Sequence, residues 1–219
     1  MAIETKINPN QEAMSGLKAT SLADSAVDLH LTPIDMVNNA LLLLGAAPIT
    51  SFEDTGDTVT LVKTRYSFLR DSILTSYPWS FAKKRAQLTE LLDEGGTTVT
   101  PLFDFSRAYE LPPDCLRVLD TDLGATAWKK EGRYIVTDST SAAILYIARI
   151  VDVNMWPPDF QEAFAAQLAA DISYSLTKKL DLQQQMFDLA NLRMSEAKAN
   201  DGQEGTQDQI TNTSLIDVR

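Results

Sequence analysis

With 219 residues, 44% of them apolar and 22% charged, the chain can bury a real core, as one compact body or two closely packed subdomains. Its net charge of −11 reverses the basic footprint of proteins that grip phosphate backbones, its single cysteine excludes an intrachain disulfide, and its single histidine leaves almost no nitrogen or sulfur for a transition-metal site. The longest uninterrupted apolar run, Ala40 to Ala47, contains Gly45 and falls far short of the ~20 residues of a membrane span, and residues 1–10 lack the layout of a secretory signal, so the expectation is a cytoplasmic product with no membrane role.

Residues 1–30 are polar, with scattered apolar positions from Ile3 to Leu29, and read as an N-terminal arm. A first helix opens at Thr32, a good cap, with Pro33 at the first helical position and Asp35 where the helix dipole favours a negative charge. Met36, Val37, Ala40, Leu41 and Leu44 recur at helical spacing up to Gly45. A second helix runs from about Asp57 to Ser76, stopped by Tyr77-Pro78, because proline excludes the α region for the residue before it. Trp79 and Phe81 follow, as large rings that seal the helix pair.

From Lys83 to Val153 short β-like runs alternate with turn residues: Ala86–Leu92, Arg107–Leu111, Cys115–Asp120, Arg133–Thr137 and Ala143–Ile150. They predict one antiparallel β element of four to six strands inserted between helical halves. Helix returns at Pro157-Pro158, with Phe160, Phe164, Leu168 and Ile172 at core spacing. A last helix is expected from Asp181, capped by its own carboxylate with Gln184 reaching back, and ending at Gly202. The fold class is therefore α+β: about four helices forming a bundle domain from 31–82 and 154–203, an inserted β domain at 83–153, and a polar C-terminal tail at 204–219. In that tail Ile210, Leu215, Ile216, Val218 and Arg219 are the candidate partner contacts, since apolar residues in a polar terminus need a surface to cover them; a frayed terminus is the alternative.

Chemistry-bearing patterns are sparse. The glycines at 95, 96, 124 and 132 lack the spacing of a phosphate-binding loop, and His30, the one imidazole, lies in the arm, far in sequence from Cys115, which reads as a small buried residue. No cofactor, catalytic residue or metal ligand is expected. Carboxylate pairs at Glu53-Asp54, Asp93-Glu94, Asp120 with Asp122, and Asp152 with Asp159 could in principle do acid–base work, but 30 acidic residues produce neighbours by chance. Lys83-Lys84-Arg85 reads as a solvated edge, or as a partner for an acidic neighbouring subunit. The acidic surplus either keeps the protein soluble or lines a passage through which duplex slides, carboxylates repelling phosphates within a Debye length of ~8 Å.

Five segments, in order, resemble the podophage tail tubular protein A family: Asn39 to Ile49, Tyr77-Pro78-Trp79-Ser80-Phe81-Ala82, Ala108 to Val118, Tyr146 to Val151 followed by Trp156 to Ala163, and Ala197-Lys198-Ala199-Asn200-Asp201-Gly202. The resemblance covers about Thr32 to Gly205 and leaves residues 1–30 outside it. It implies a non-enzymatic head-to-tail connector of the virion neck, a homo-oligomeric ring of 12 copies joining the portal protein to a tail nozzle of the tail tubular protein B type. In that ring the helices face the portal, the β element faces the nozzle, the tail docks on the portal, and duplex DNA passes through without specific binding during genome ejection. Each residue also has a plain reading: Trp79, Phe81, Tyr109, Trp156 and Phe160 are structural anchors. The alternatives are a transient phage assembly factor and a carboxylate-based cell-wall hydrolase. For residues 1–30 three roles stand open: wrapping a neighbour, lining the channel, or staying disordered.

Overall fold

A computed structural model describes residues 30–124 and 126–204. The arm up to Leu29 and the tail positions Ile210, Leu215, Ile216, Val218 and Arg219 lie outside the described residues; His30 is exposed. Among the described residues the fold is α+β, with four α-helices and two small antiparallel sheets. None of these helices is long and apolar enough to cross a membrane.

Helix α1, Pro33–Leu43, starts as its residues dictate, with Thr32 and Asp35 capping each other reciprocally. The Thr32 amide and hydroxyl donate to the Asp35 carboxylate at 2.7 and 2.6 Å, and the Asp35 amide donates to the Thr32 hydroxyl at 3.3 Å. Those bonds hold the Asp35 carboxyl below its ordinary range. At the other end the Ala46 and Gly45 amides donate back to Leu41 and Leu42, with Gly45 at φ +64°. A Cβ at Gly45 would meet nothing within 4 Å, so Gly45→Ala should cost only the left-handed backbone penalty, about 1 kcal/mol, readable as a shift in urea midpoint.

The Asn38 side chain then pins the following loop, exchanging two hydrogen bonds with the backbone of Ile49 at 2.9 and 3.0 Å. Helix α2, Asp57–Ser76, buries Val59, Val62, Tyr66, Leu69, Ile73 and Leu74, and Tyr77 ends it in an extended conformation before Pro78. Helices α3, Pro158–Thr177, and α4, Leu180–Asp201, close the described chain. Helix α3 packs against α1, α2 and α4. Five alanines on α3 are buried, which lets its neighbours approach closely. The expected Asp181 cap is corrected: α4 begins one residue earlier, Lys179 precedes it with no side-chain cap, and Gln184 bonds Asp188 at 3.1 Å. At i,i+4 spacing that partner is always within reach once the helix forms.

Between the helical halves the described residues form seven strands: β1 Lys83–Gln87, β2 Thr89–Glu90, β3 Arg107–Glu110, β4 Cys115–Thr121, β5 Trp128–Glu131, β6 Tyr134–Thr137 and β7 Ala143–Ala148. The single β element of four to six strands is corrected to two sheets, ordered β1-β7-β4 and β2-β3-β6-β5. The chain changes sheet at Leu88, at Leu111–Asp114, between β4 and β5, and between β6 and β7. At the second crossing Pro112 and Pro113 supply no N–H, so β3 cannot run on into its own ladder. Leu88, Leu111 and Ala142, at or beside these crossings, are buried in the core that the helices share with both sheets.

Candidate functional site

The joint between helices and sheet is built from aromatic rings supplied by segments distant in sequence. Trp79 follows the Pro78 break, Phe81 sits in a short 3₁₀ turn at Ser80–Ala82, Trp156 follows a second such turn at Val153–Met155, and Phe160 lies in the first turn of α3. Phe160 is central, with Trp79, Phe81 and Trp156 at centroid distances of 4.9, 4.9 and 5.1 Å, all edge-on. The contact chain continues through Trp156–Phe164 and Phe164–Tyr66 to Tyr66–Phe52. Each buried indole also donates to a carbonyl six residues back, Trp79 to Ile73 at 3.0 Å and Trp156 to Ile150 at 3.2 Å, so the rings are held by direction as well as by packing. Of the five anchor residues, Trp79, Phe81, Trp156 and Phe160 meet here, Phe81 being half-buried. Tyr109 stands apart in β3, where it is buried and its hydroxyl donates to the Ser139 carbonyl at 2.9 Å. Burial, and then the Glu90 charge, push its phenol up.

The C-terminal end of α4 closes the joint from below. Buried Asp201 accepts from the Ser80 amide at 2.8 Å, the Tyr77 hydroxyl donates to the Lys198 carbonyl, and Asn200 donates to Asp159 at 2.6 Å.

The carboxylate pairs are dispersed into local structural duties. Asp54 accepts from the Thr50 hydroxyl and from the Thr50 and Ser51 amides, which lower its pKa, while Glu53 pairs with Lys63 at 3.0 Å. Asp93 accepts from the Gly95 and Thr97 amides in a turn, Asp120 from Thr121, Asp122 from Ala143 and Asp152 from Asn154. Asp152 and Asp159 have different partners, Asn154 and Asn200. Among the described residues no group of three or more His, Cys, Asp or Glu side chains is placed to hold a metal ion. Cys115 is half-buried, and that burial pushes its thiol up. Lys83, Lys84 and Arg85 are exposed on the outer strand β1, and Lys84 reaches Asp114 of the same chain at 3.0 Å. Burial of Asp114 opposes its ionisation, but the bonds from Lys84 and Tyr146 outweigh it and hold the carboxyl low.

One buried polar atom stands out. The Tyr66 hydroxyl is inaccessible and has no hydrogen-bond partner among the described residues. Its phenol is pushed up to about 12 by burial, with the Arg70 charge pulling weakly the other way. A hydroxyl that bonds nothing adds no hydrogen-bond energy to the fold, so Tyr66→Phe should leave stability unchanged or raise it by up to about 1 kcal/mol. Because the folded pKa lies above the unfolded one, the stability linked to this group is whole below pH 10 and lost as pH rises from 10 through about 12. Chemical unfolding measured across that range should show Tyr66→Phe losing less stability than the parent.

Sequence reasoning missed several large apolar side chains on the surface: Leu102 and Phe103, 100% and 74% exposed in the loop before β3, and Phe68 and Leu192, 71% and 56% exposed on α2 and α4. For Phe68 a signal existed, since it falls off the 59-62-66-69-73 stripe that faces the core. The loop tip is anchored close beside its apolar pair, by Lys129 bonding Asp104 at 3.2 Å and lying over the Phe105 ring, and by Ser106 bonding Asp138. The geometry thus comprises a rigid aromatic joint and outward apolar side chains on ordered elements. Compared with known proteins, the chain matches no family model and no curated sequence.

Proposed function

We propose that the chain is a structural adaptor of a bacteriophage neck, similar to tail tubular protein A, forming a ring of 12 copies that joins the portal to the tail nozzle and lets duplex DNA pass during ejection. In this reading the helices at 31–82 and 154–203 are a bundle that faces the portal, the β domain at 83–153 faces the nozzle, and 1–30 and 204–219 are the arm and the docking tail. The protein works by fit, with no reaction of its own, in the virion after assembly in the host cytoplasm. The observation that carries the reading is that two of the resembling segments, Tyr77–Ala82 and Trp156–Ala163, meet around Phe160 in a single joint although some 75 residues separate them. Residues that together fix the angle between two halves of a protomer suit a ring subunit, whose closure depends on that angle. The dispersal of the acidic pairs into turns and caps also favours a structural part over a carboxylate-based hydrolase.

The test mixes the purified chain with the portal protein of the same phage and images it by negative-stain electron microscopy, beside a variant ending at Gly205. An added ring on the portal, lost in the shortened variant, is the expected result. A folded chain that leaves the portal bare overturns the adaptor and favours a factor that binds transiently and leaves.

A further inference from the structure

We propose that copies of this chain join head to tail by seating the outward face of α2, centred on Phe68, against the outward face of α4 of the next copy, centred on Leu192; this rests on the ring reading above. The α2 face opposite the core stripe presents Thr64 and Phe68, with Asp71 and Thr75 half-buried along it, and Phe68 stands out from its middle. Several polar groups on and around this face are already engaged within the chain. The hydroxyls of Thr60, Thr64 and Thr75 donate to the carbonyls of Gly56, Thr60 and Asp71 at 3.0, 2.8 and 2.7 Å, and Thr60 and Thr64 are exposed while Thr75 is half-buried. At the margins Lys63 is tied to Glu53 and Arg65 to Asp171, while Asp71 bonds both Arg70 and Arg149. A face with its hydrogen bonds satisfied internally loses little when water leaves, and an aromatic side chain at its centre is the usual anchor of such a contact.

Helix α4 has the matching character. Its core side holds Ala190 and Ala197; its outer side carries Asp181, Asp188, Leu192, Ser195 and Ala199. Gln184 bonds Asp188 and Arg193 bonds Glu196, so these polar groups too have partners at home. Ser195 and Ala199, one and two turns beyond Leu192, are small enough to leave space for a ring. Charge disfavours two α4 faces meeting, since each presents the exposed carboxylates of Asp181 and Asp188, whereas at the rim of the α2 face Lys63 and Arg65 are about half exposed and balanced by Glu53 and Asp171. The two faces also occupy different flanks of α3. Arg65 and Tyr66 hold α2 to α3 at Asp171 and Phe164, whereas Ala190 holds α4 at Ala166 and Ala170. One protomer thus offers two unlike surfaces, as head-to-tail contact requires.

The experiment places Phe68→Cys and Leu192→Cys together in the full chain, with Cys115→Ser as background, and oxidises the concentrated protein gently. The expected result is a ladder of covalent multimers from the double variant and monomers from each single variant. Dimers from Phe68→Cys alone would mean like faces meet, which overturns the proposal. In parallel, Phe68→Asp should weaken assembly on the order of thirtyfold, the effect of losing an interface hot spot, measured by analytical ultracentrifugation, with thermal unfolding unchanged because the side chain is exposed. Assembly that persists in Phe68→Asp without a ladder overturns this interface and leaves the ring standing. A chain that neither cross-links nor assembles, alone or on the portal, overturns both.

Discussion

Phe160→Ala is expected to destabilise the protein by about 4 kcal/mol, the upper range for removing a buried phenylalanine. Phe160 is fully buried, and three other rings pack edge-on against it from two separate segments. Its neighbours cannot collapse into the space, because the two indoles are each fixed by a hydrogen bond to a helix-end or strand-end carbonyl. The cavity term therefore adds to the lost transfer term in full. Against a total stability of about 5–15 kcal/mol for a typical domain, this one truncation leaves a small margin at 37 °C. Urea unfolding of the parent, Phe160→Leu and Phe160→Ala should give a graded series with the alanine variant far below the leucine one. A cost for alanine under about 1.5 kcal/mol would show that the joint repacks and is not rigid.

Asp71→Ala should cost about 3 kcal/mol by a different mechanism. Arg70 is buried, and its Nε donates to Asp71 at 2.9 Å; Arg149, beyond the end of β7, donates to the other oxygen of the same carboxylate at 2.8 Å. Removing the carboxylate leaves a buried guanidinium without its anion, which is the expensive half of breaking such a pair. Asp71 itself is partly open to solvent, which keeps the estimate at the low end of the 3–5 kcal/mol range. The double variant Asp71→Ala with Arg70→Met removes the orphaned charge and should recover most of the loss. If it recovers nothing, the cost lies in the bond to Arg149, which ties α2 to the sheet, and not in the buried charge.

Much of the helical half was legible because its signals are local. Thr32, Pro33 and Asp35 mark the start of α1 within four residues, and the Tyr77-Pro78 pair marks the end of α2 by a steric rule that needs no tertiary context. The start of α4 was not legible: Asp181 and Gln184 have the residue types of a capping box, but packing on α3 set the register, and the box did not form. Strand β5, Trp-Lys-Lys-Glu, escaped because all four residues are exposed and carry no alternation, so only pairing with β6 makes it a strand. The two-sheet split likewise depends on long-range pairings, such as β1 with β7 across about 60 residues, that no short window contains. For the candidate surfaces the limit is similar. An exposed apolar side chain can be read from helical phase, as at Phe68, but whether the polar groups around it are already satisfied depends on distant partners such as Asp171 and Arg149.

The placement of the three tryptophans makes the protein its own optical reporter. Trp79 and Trp156 are sealed against Phe160, while Trp128 lies on the outer strand of the four-stranded sheet, partly open to solvent. Two emitters should therefore fluoresce at short wavelength and resist iodide, and the third should emit further to the red and be quenched. A ligand or subunit that covers the sheet would silence the quenching of one indole and leave the spectrum of the other two unmoved, whereas opening of the aromatic joint would shift those two together. Docking and unfolding, which light scattering confuses, are thus separated by colour in a single cuvette.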